Sequence, residues 1–265
     1  MYTIKHYALT ESVSEAWELR QKGKNRVLAG GMWLRLGKGN VINTAIDLTQ
    51  IGLDTIEEDD GVFTIGCMAS LRQIEKHEAL NNMCGGLIRD AVSSIVGTQF
   101  RNTATVGGSI YGRFGFSDVL TAFMVLDTQV KLHKGGLIPL DTFVEMPYDK
   151  DILTEVRVAN TPCEAAYESL RLTTTDFPMI NAAVSRTDGK WRIAVGARPM
   201  KARLLAAAEN LSACPGEAEL DALEEAVKTE LNYGSNKLAS ADYRREMAAV
   251  LVRRAINRII GEDRT

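Results

Sequence analysis

The chain has 265 residues, 45% of them hydrophobic, and 31 basic residues against 34 acidic ones give a net charge of −3. At about 150 residues per domain this length suggests two domains with ample core material. The mildly acidic balance, with no basic block, excludes nucleic acid as an expected partner. Purely apolar runs are short, five residues at Ala122–Leu126 and Leu204–Ala208 and at most six, at Met247–Val252, whereas a membrane-spanning helix needs about 20. No membrane span is expected, and the lack of an apolar N-terminal stretch makes the cytoplasm the expected location.

Ser12-Val-Ser-Glu15 has capping-box spacing and opens a helix with Val13, Ala16, Trp17 and Leu19 on its apolar face, ending at Gly23. A short strand, Arg26–Ala29, then runs into Gly30-Gly31, and Val41–Leu48 reads as another. The pattern restarts near Asp54 with the strand Val62–Gly66 and a helix from Ser70, with Gln73 at the box position. Gly85-Gly86 precedes a helix through Leu87, Ile88, Ala91, Val92 and Ile95 that should end at Gly97. Thr105–Ile110 is expected as a strand with Gly107-Gly108 embedded in it, and Ser117-Asp118 caps a helix buried through Val119, Leu120, Phe123 and Met124. Val130–Leu132 and Ile152–Val158 are expected as strands around a Gly135-Gly136 turn.

After about Asn160 the character changes. Ala166–Leu172 and Met179–Ser185 read as strands, and Asp188-Gly189 is a hairpin signal before Trp191–Val195. Arg198-Pro199 should start a helix buried through Leu204, Leu205 and Ala208, and two further helices are expected at Glu217–Leu231 and Ser240–Ile260. On the last helix Tyr243, Met247, Val250 and Leu251 are expected inside, with Arg244, Arg245, Arg253 and Arg254 on a solvated or intersubunit face.

The four cysteines, Cys67, Cys84, Cys163 and Cys214, lack the spacing of an iron–sulfur cluster or zinc site and read as free, buried thiols. His6, His77 and His133 are isolated, so no metal site is expected, and no catalytic residue of the chain's own is expected either. Two glycine-rich segments remain, Val27–Arg35 and Val96–Asp118. Paired glycines let a backbone turn with φ > 0 and bring its N–H groups to a phosphate without a basic side chain. A P-loop is excluded for the first segment: five residues separate Gly31 from Gly37, and Lys38 is followed by Gly39. On the residues alone, two tight turns and a glycine-kinked strand explain the same pattern.

Leu28-Ala-Gly-Gly, Gln99-Phe-Arg-Asn and Thr105-Val-Gly-Gly-Ser-Ile followed by Ser117-Asp118 resemble signatures of the FAD-binding medium subunit of molybdenum hydroxylases, the xanthine dehydrogenase and carbon monoxide dehydrogenase flavoprotein family. Ser14–Leu19, Phe63–Ser70 and Ser240–Ala255 extend the resemblance over nearly the whole chain. It implies an α+β fold: a two-part FAD-binding domain of the vanillyl-alcohol-oxidase type at 1–160, with subdomains at about 1–53 and 54–160, then a C-terminal domain of antiparallel sheet and helices at 161–265. It also implies a place for the cofactor. Leu28, Ala29, Gly30, Gly31, Met32, Trp33 and Leu34 in the first turn, with Thr105, Gly107, Gly108 and Ser109, would hold the FAD pyrophosphate. Asp118 would bond the adenosine end; Ile152 and Leu153 would pack beside the flavin.

The resemblance further implies an electron relay. A large molybdopterin subunit hydroxylates the substrate, a small subunit with two [2Fe–2S] clusters passes electrons on, and the flavin reduces NAD or another acceptor. Three departures stand out. Met32-Trp33 replace the usual Thr-Asp or Thr-Glu, Ser109 replaces the usual Asn, and Tyr111-Gly-Arg-Phe-Gly-Phe replaces an Ala/Ser/Pro-rich stretch. Arg171 stands near where the family often has a Lys. Tyr111 and Phe114 read as core fillers or as stacking partners near the isoalloxazine, and Arg101 and Asn102 as surface or site-adjacent residues. The same fold with weakened flavin binding, acting in assembly, is the alternative reading.

Overall fold

The structure, a computed structural model, describes residues 2–37 and 41–261. Lys38 and Gly39, invoked above against a P-loop, lie outside the described residues. In chain order the elements are β1 (Thr3–Leu9), α1 (Val13–Gln21), β2 (Arg26–Leu28), β3 (Val41–Asp47), β4 (Ile56–Asp59), β5 (Val62–Gly66), α2 (Leu71–Lys76), α3 (Glu78–Met83) and α4 (Leu87–Ser93). There follow α5 (Thr98–Thr103), α6 (Val106–Tyr111), α7 (Asp118–Met124), β6 (Thr128–Leu132), β7 (Gly136–Pro139), α8 (Leu140–Glu145) and β8 (Leu153–Ala159). The rest is β9 (Glu164–Leu170), β10 (Ile180–Thr187), β11 (Lys190–Gly196), β12 (Arg203–Leu204), α9 (Glu217–Glu230) and α10 (Ala241–Ile260). The fold is α+β, as expected.

The chain forms two compact units that interleave in sequence. One comprises Met1–Gln73, Thr98–Gly112 and Thr128–Ala159; the other comprises Ile74–Gly97, Arg113–Asp127 and Asn160–Thr265.

In the first unit, β1, β3 and β2 make a parallel sheet with β3 in the middle. Ile42, Ala45 and Ile46 of β3 are buried, as is Ala16 of α1, whose N-cap Ser12 accepts the Glu15 N–H. A five-stranded antiparallel sheet, in the order β4-β5-β8-β6-β7, forms the rest of the scaffold. Phe63, Ile65, Val130, Leu132, Val156 and Val158 alternate with more exposed residues along three of its strands. That period-2 pattern is what a half-buried sheet requires, and each such side chain contributes about 1.5–3 kcal/mol. Between the residues alternating inward, Lys131 and Arg157 pair with Glu155 at 2.7 and 3.1 Å.

The second unit holds an antiparallel sheet in the order β12-β11-β10-β9. Ile180, Ala182, Val184, Ile193 and Val195 pack with Leu220, Leu223 and Val227 of α9 and Ala248, Val252 and Ile256 of α10. The alternate positions of β10 are buried as well: Ser185 Oγ donates to the Val125 carbonyl at 2.5 Å. Burial on both faces explains why β10 carries apolar residues at the consecutive positions Ala182–Val184. Asp188 and Gly189 both take positive φ, 49° and 74°, as a two-residue hairpin of primed type needs.

Several expectations require correction. Thr105–Ile110 is not a strand: Thr105 is an N-cap whose Oγ1 accepts the Gly108 N–H, and the helix α6 follows. Arg198-Pro199 opens no helix. The buried Arg198 guanidinium binds the carbonyls of Asn232 (2.5 Å) and Lys201 (2.8 Å), and the chain continues as β12, a short edge strand beside β11, before a 3-10 turn at Ala206–Asn210. Leu205 and Ala208 are buried as expected, but Leu204 is only partly so.

The inner face of α10 agrees with the expected one at Leu251, which is buried, and at Met247, which packs against the core, and differs from it at three positions. Arg244 is 1% exposed, whereas Tyr243 is 45% and Val250 40% exposed. Arg244 donates to the Met179 and Ala197 carbonyls and to Asn236 Oδ1, so the buried end of α10 is polar by design of its partners. Arg253 is no free surface charge either, since it bonds Glu217, Asp221 and Glu224 of α9. Of the thiols, Cys67 and Cys84 are buried, Cys163 is partly buried and Cys214 is exposed, so Cys214 departs from the buried expectation. Among the described residues no helix is long and apolar enough to cross a membrane.

Candidate functional site

In the first unit the parallel pairing of β2 with β3 delivers the chain into the turn at 29–33. Gly30 lies so close to α5 that a Cβ there would sit 1.6 Å from the Thr103 carbonyl oxygen. Gly31 follows with φ +70°, a conformation costly for residues with a Cβ. Among the described residues the N–H groups of Gly30, Gly31 and Met32 meet no protein acceptor. Unpartnered amides in a turn containing a left-handed residue form an anion-binding concavity, so this turn fits a phosphate. Leu28, Ala29, Met32, Trp33 and Leu34 are all partly buried around it.

The second glycine pair is used differently. The Val106 N–H donates to the Ala69 carbonyl and the Gly107 N–H to the Cys67 carbonyl, both at 2.9 Å. The Gly108 N–H goes to Thr105 Oγ1, and the Ser109 N–H goes to the Thr105 carbonyl, each at 3.1 Å. These four donors are therefore satisfied inside the protein. The expectation that Gly107 and Gly108 present N–H groups to a pyrophosphate is corrected: their smallness serves packing. A Cβ on Gly107 would be 2.6 Å from the Cys67 Cβ and carbonyl oxygen, and one on Gly108 would be 3.4 Å from Trp33 Cδ1.

Trp33 lies over this helix. Its Nε1 donates to Ser109 Oγ at 3.0 Å, and its ring meets Phe100 edge-on with centroids 5.2 Å apart. Tyr111 OH donates to the Asp149 carbonyl at 3.0 Å, and its ring neighbours those of Phe143 and Tyr148. Ile152 and Leu153 are buried at the start of β8. Arg101 is buried and Asn102 exposed, on α5.

In the second unit Asp118 is buried at the first turn of α7. Its Oδ1 accepts from Arg171 Nη2 (2.6 Å), Asn181 Nδ2 (3.1 Å) and Tyr167 OH. Arg171 Nη1 also donates to the Asp176 carbonyl at 2.5 Å. Burial pushes the Tyr167 phenol well above its ordinary range, and the adjacent Asp118 charge adds to this. Burial opposes the Arg171 charge, yet Asp118 more than offsets it and the guanidinium is held more firmly protonated. Asp118 and Arg171 are thus brought together as a pair. Tyr167 and Asn181 were not foreseen; the one signal was a polar Asn within the apolar run Ile180–Val184. Nearby Phe114 stacks on Phe116 (5.1 Å, 8°), and Phe116 meets Phe177 at 4.3 Å.

Among the described residues no group of three or more His, Cys, Asp or Glu could hold a metal ion. What the geometry offers is an amide-lined turn in one unit and a buried acid–guanidinium cluster in the other. Residues 2–160 match the family model for the FAD binding domain in molybdopterin dehydrogenase. The chain belongs to this family.

Its relatives align over almost their full lengths. Protein YgfM of Escherichia coli K12 is 26% identical over 253 residues, covering 94% of both chains. The nicotine 6-hydroxylase medium subunit of Paenarthrobacter nicotinovorans is 27% identical over 275 residues, covering 94% of this chain and 95% of the relative. A Cu,Mo-CO dehydrogenase in a cyanide-inactivated form superposes with TM-score 0.88 at 23% identity, covering 98% and 99% of the two chains. Quinoline 2-oxidoreductase from Pseudomonas putida 86 superposes with TM-score 0.86 at 17% identity, covering 99% and 98%. At these identities the structures show a shared fold. The family makes FAD the cofactor of the matched residues.

Proposed function

We propose that this chain is the flavin subunit of a heteromeric molybdenum hydroxylase related to xanthine dehydrogenase. It would take electrons from a small [2Fe–2S] subunit, itself fed by a large molybdopterin subunit, and deliver them to NAD or another acceptor in the cytoplasm. The observation that carries this reading is the glycine turn, where Gly30 is pressed against Thr103 and the amides of Gly30, Gly31 and Met32 lack protein acceptors, in a chain of the FAD-binding family. Full-length similarity to a nicotine 6-hydroxylase medium subunit supports it.

FAD, when bound, supplies the redox chemistry, so no nucleophile or acid–base pair of the chain is needed. The chain's own part is to bind and orient. The amides of residues 30–32 would donate to pyrophosphate oxygens; Leu28, Ala29 and Leu34 would wall the turn, and Thr105, Gly107, Gly108 and Ser109 would support it through α6. Tyr111, Ile152 and Leu153 are assigned to the flavin side. Asp118 is assigned to the adenosine end with Arg171 as its fixed counter-charge, because Oδ1 carries every bond that the described residues make to this carboxylate. We propose a functional boundary near residue 160, and the match of residues 2–160 to the family model supports it.

Purification of the tagged full-length chain from its native host tests the assignment. A small iron–sulfur protein and a large molybdenum protein should accompany it, and the chain alone should oxidise NADH or reduce dyes at most. Hydroxylation of an organic substrate by the isolated chain, or recovery without either companion, would overturn it.

A further inference from the structure

Trp33 and Ser109 are 76 residues apart, yet the indole Nε1 donates to the Ser109 hydroxyl at 3.0 Å. A serine hydroxyl has one proton, and Ser109 directs its own to the Thr105 carbonyl at 2.9 Å. Its lone pairs are therefore presented to the indole. The ring is further fixed by its edge-on contact with Phe100 and by Gly108, where a Cβ would already touch it at 3.4 Å. At the other end of the turn, Gly30 abuts the Thr103 carbonyl with no room for a side chain. The turn is thus tied down at both ends, by backbone packing on α5 and by an indole hydrogen bond on α6. Between the ties lie Gly31 and Met32.

No residue from 30 to 33 carries a charge. Affinity of this turn for an anion must then come from N–H groups held in the right direction, and fixing them in advance lowers the ordering cost of binding. We propose that Trp33 and Ser109 form a clasp that positions the amides of Gly30–Met32 for a diphosphate, making both positioning residues for FAD. The proposal rests on the reading of the turn as the phosphate site and deepens it.

The test is a double-mutant cycle of Trp33→Phe, Ser109→Ala and the pair on the full chain. It reads the dissociation constants of FAD and of ADP, a diphosphate without a flavin, together with the thermal midpoint of the FAD-free protein. Each single substitution should loosen both ligands about five- to tenfold, the worth of one hydrogen bond. The double variant should be no worse than the weaker-binding single one, since both remove the same contact. Singles that lower the midpoint but leave both dissociation constants unchanged would overturn the clasp, as would losses that multiply in the double variant. Wild-type protein that binds neither ligand would overturn the phosphate site and the clasp with it; binding without coupling overturns the clasp alone.

Discussion

Arg171 Nη2 lies 2.6 Å from Asp118 Oδ1, and both side chains are more than nine-tenths buried. An ion pair so enclosed is dangerous to break, because removing one partner leaves the other charge without compensation. Asp118→Asn should lower the unfolding free energy by about 3–5 kcal/mol, and adding Arg171→Met should recover part of that loss. Urea unfolding of the single and double variants measures it. Equal or greater loss in the double variant would show that the charge pairing is not what the cluster contributes.

Alkaline pH should destabilise the protein through buried protons. Burial pushes the Cys67 thiol up to about 12 and Cys163 to about 11, and the Tyr167 phenol is also raised. Above pH about 9 the unfolded thiols lose protons that the native state retains, so the unfolded state binds fewer and stability falls as pH rises. Once its unfolded counterpart is ionised, each such group takes about 1.4 kcal/mol per pH unit until its native pKa is reached. Urea midpoints should be flat from pH 7 to 8 and decline from pH 9 to 11. A thiol reagent at pH 8 should label Cys214 first and leave Cys67 and Cys84 protected until unfolding.

Gly107 and Gly108 should behave differently when substituted. Gly107→Ala forces a Cβ against the Cys67 backbone at 2.6 Å and should cost about 1–3 kcal/mol through overpacking. Gly108→Ala meets Trp33 at ordinary contact distance and Thr105 Oγ1 at 3.1 Å, and should cost under about 1 kcal/mol. Thermal unfolding of the two variants gives the comparison. Equal effects would mean that α6 does not pack as described.

Arg244→Met keeps much of the side-chain volume but removes the guanidinium that reaches the Met179 and Ala197 carbonyls. Leaving buried carbonyls without a donor should cost about 2–4 kcal/mol. Arg254→Met, at an exposed position of the same helix, should change stability by less than about 0.5 kcal/mol. Urea unfolding distinguishes them, and similar losses would contradict the burial of Arg244.

The elements visible in the sequence were those with local causes. The Ser70–Gln73 box closes with both bonds present, at 2.7 and 3.2 Å, and Asp188-Gly189 makes its hairpin. What escaped depends on distant partners. β1 is exposed along nearly its whole length, so its residues show no buried alternation; it is a strand because β3, some 38 residues on, pairs with it. Val106-Gly-Gly-Ser-Ile has strand-like ends and two helix-weakening glycines, yet the Thr105 cap and the carbonyls of Cys67 and Ala69 select a helical turn. Arg244 looked like a surface charge because the carbonyls that receive it belong to segments 47 and 65 residues away. At the candidate site, the glycine pairs were legible as backbone devices. Only the structure separates the pair with amides to offer from the pair whose amides are engaged, and only it joins the two unusual residues Trp33 and Ser109.

The central claim is that the turn at 29–33 holds the cofactor through its backbone. Titration of FAD into the full-length wild-type chain, Gly31→Val and Met32→Thr tests it most directly. Gly31 sits at φ +70°, so a branched side chain must reshape the turn, whereas Met32 offers only its backbone N–H. The account predicts one FAD per wild-type chain, at least a tenfold loss for Gly31→Val, and no more than about a fivefold change for Met32→Thr, the worth of a single hydroxyl hydrogen bond. Wild-type affinity in Gly31→Val together with a hundredfold change in Met32→Thr would contradict it, because side chains and not amides would then hold the phosphate.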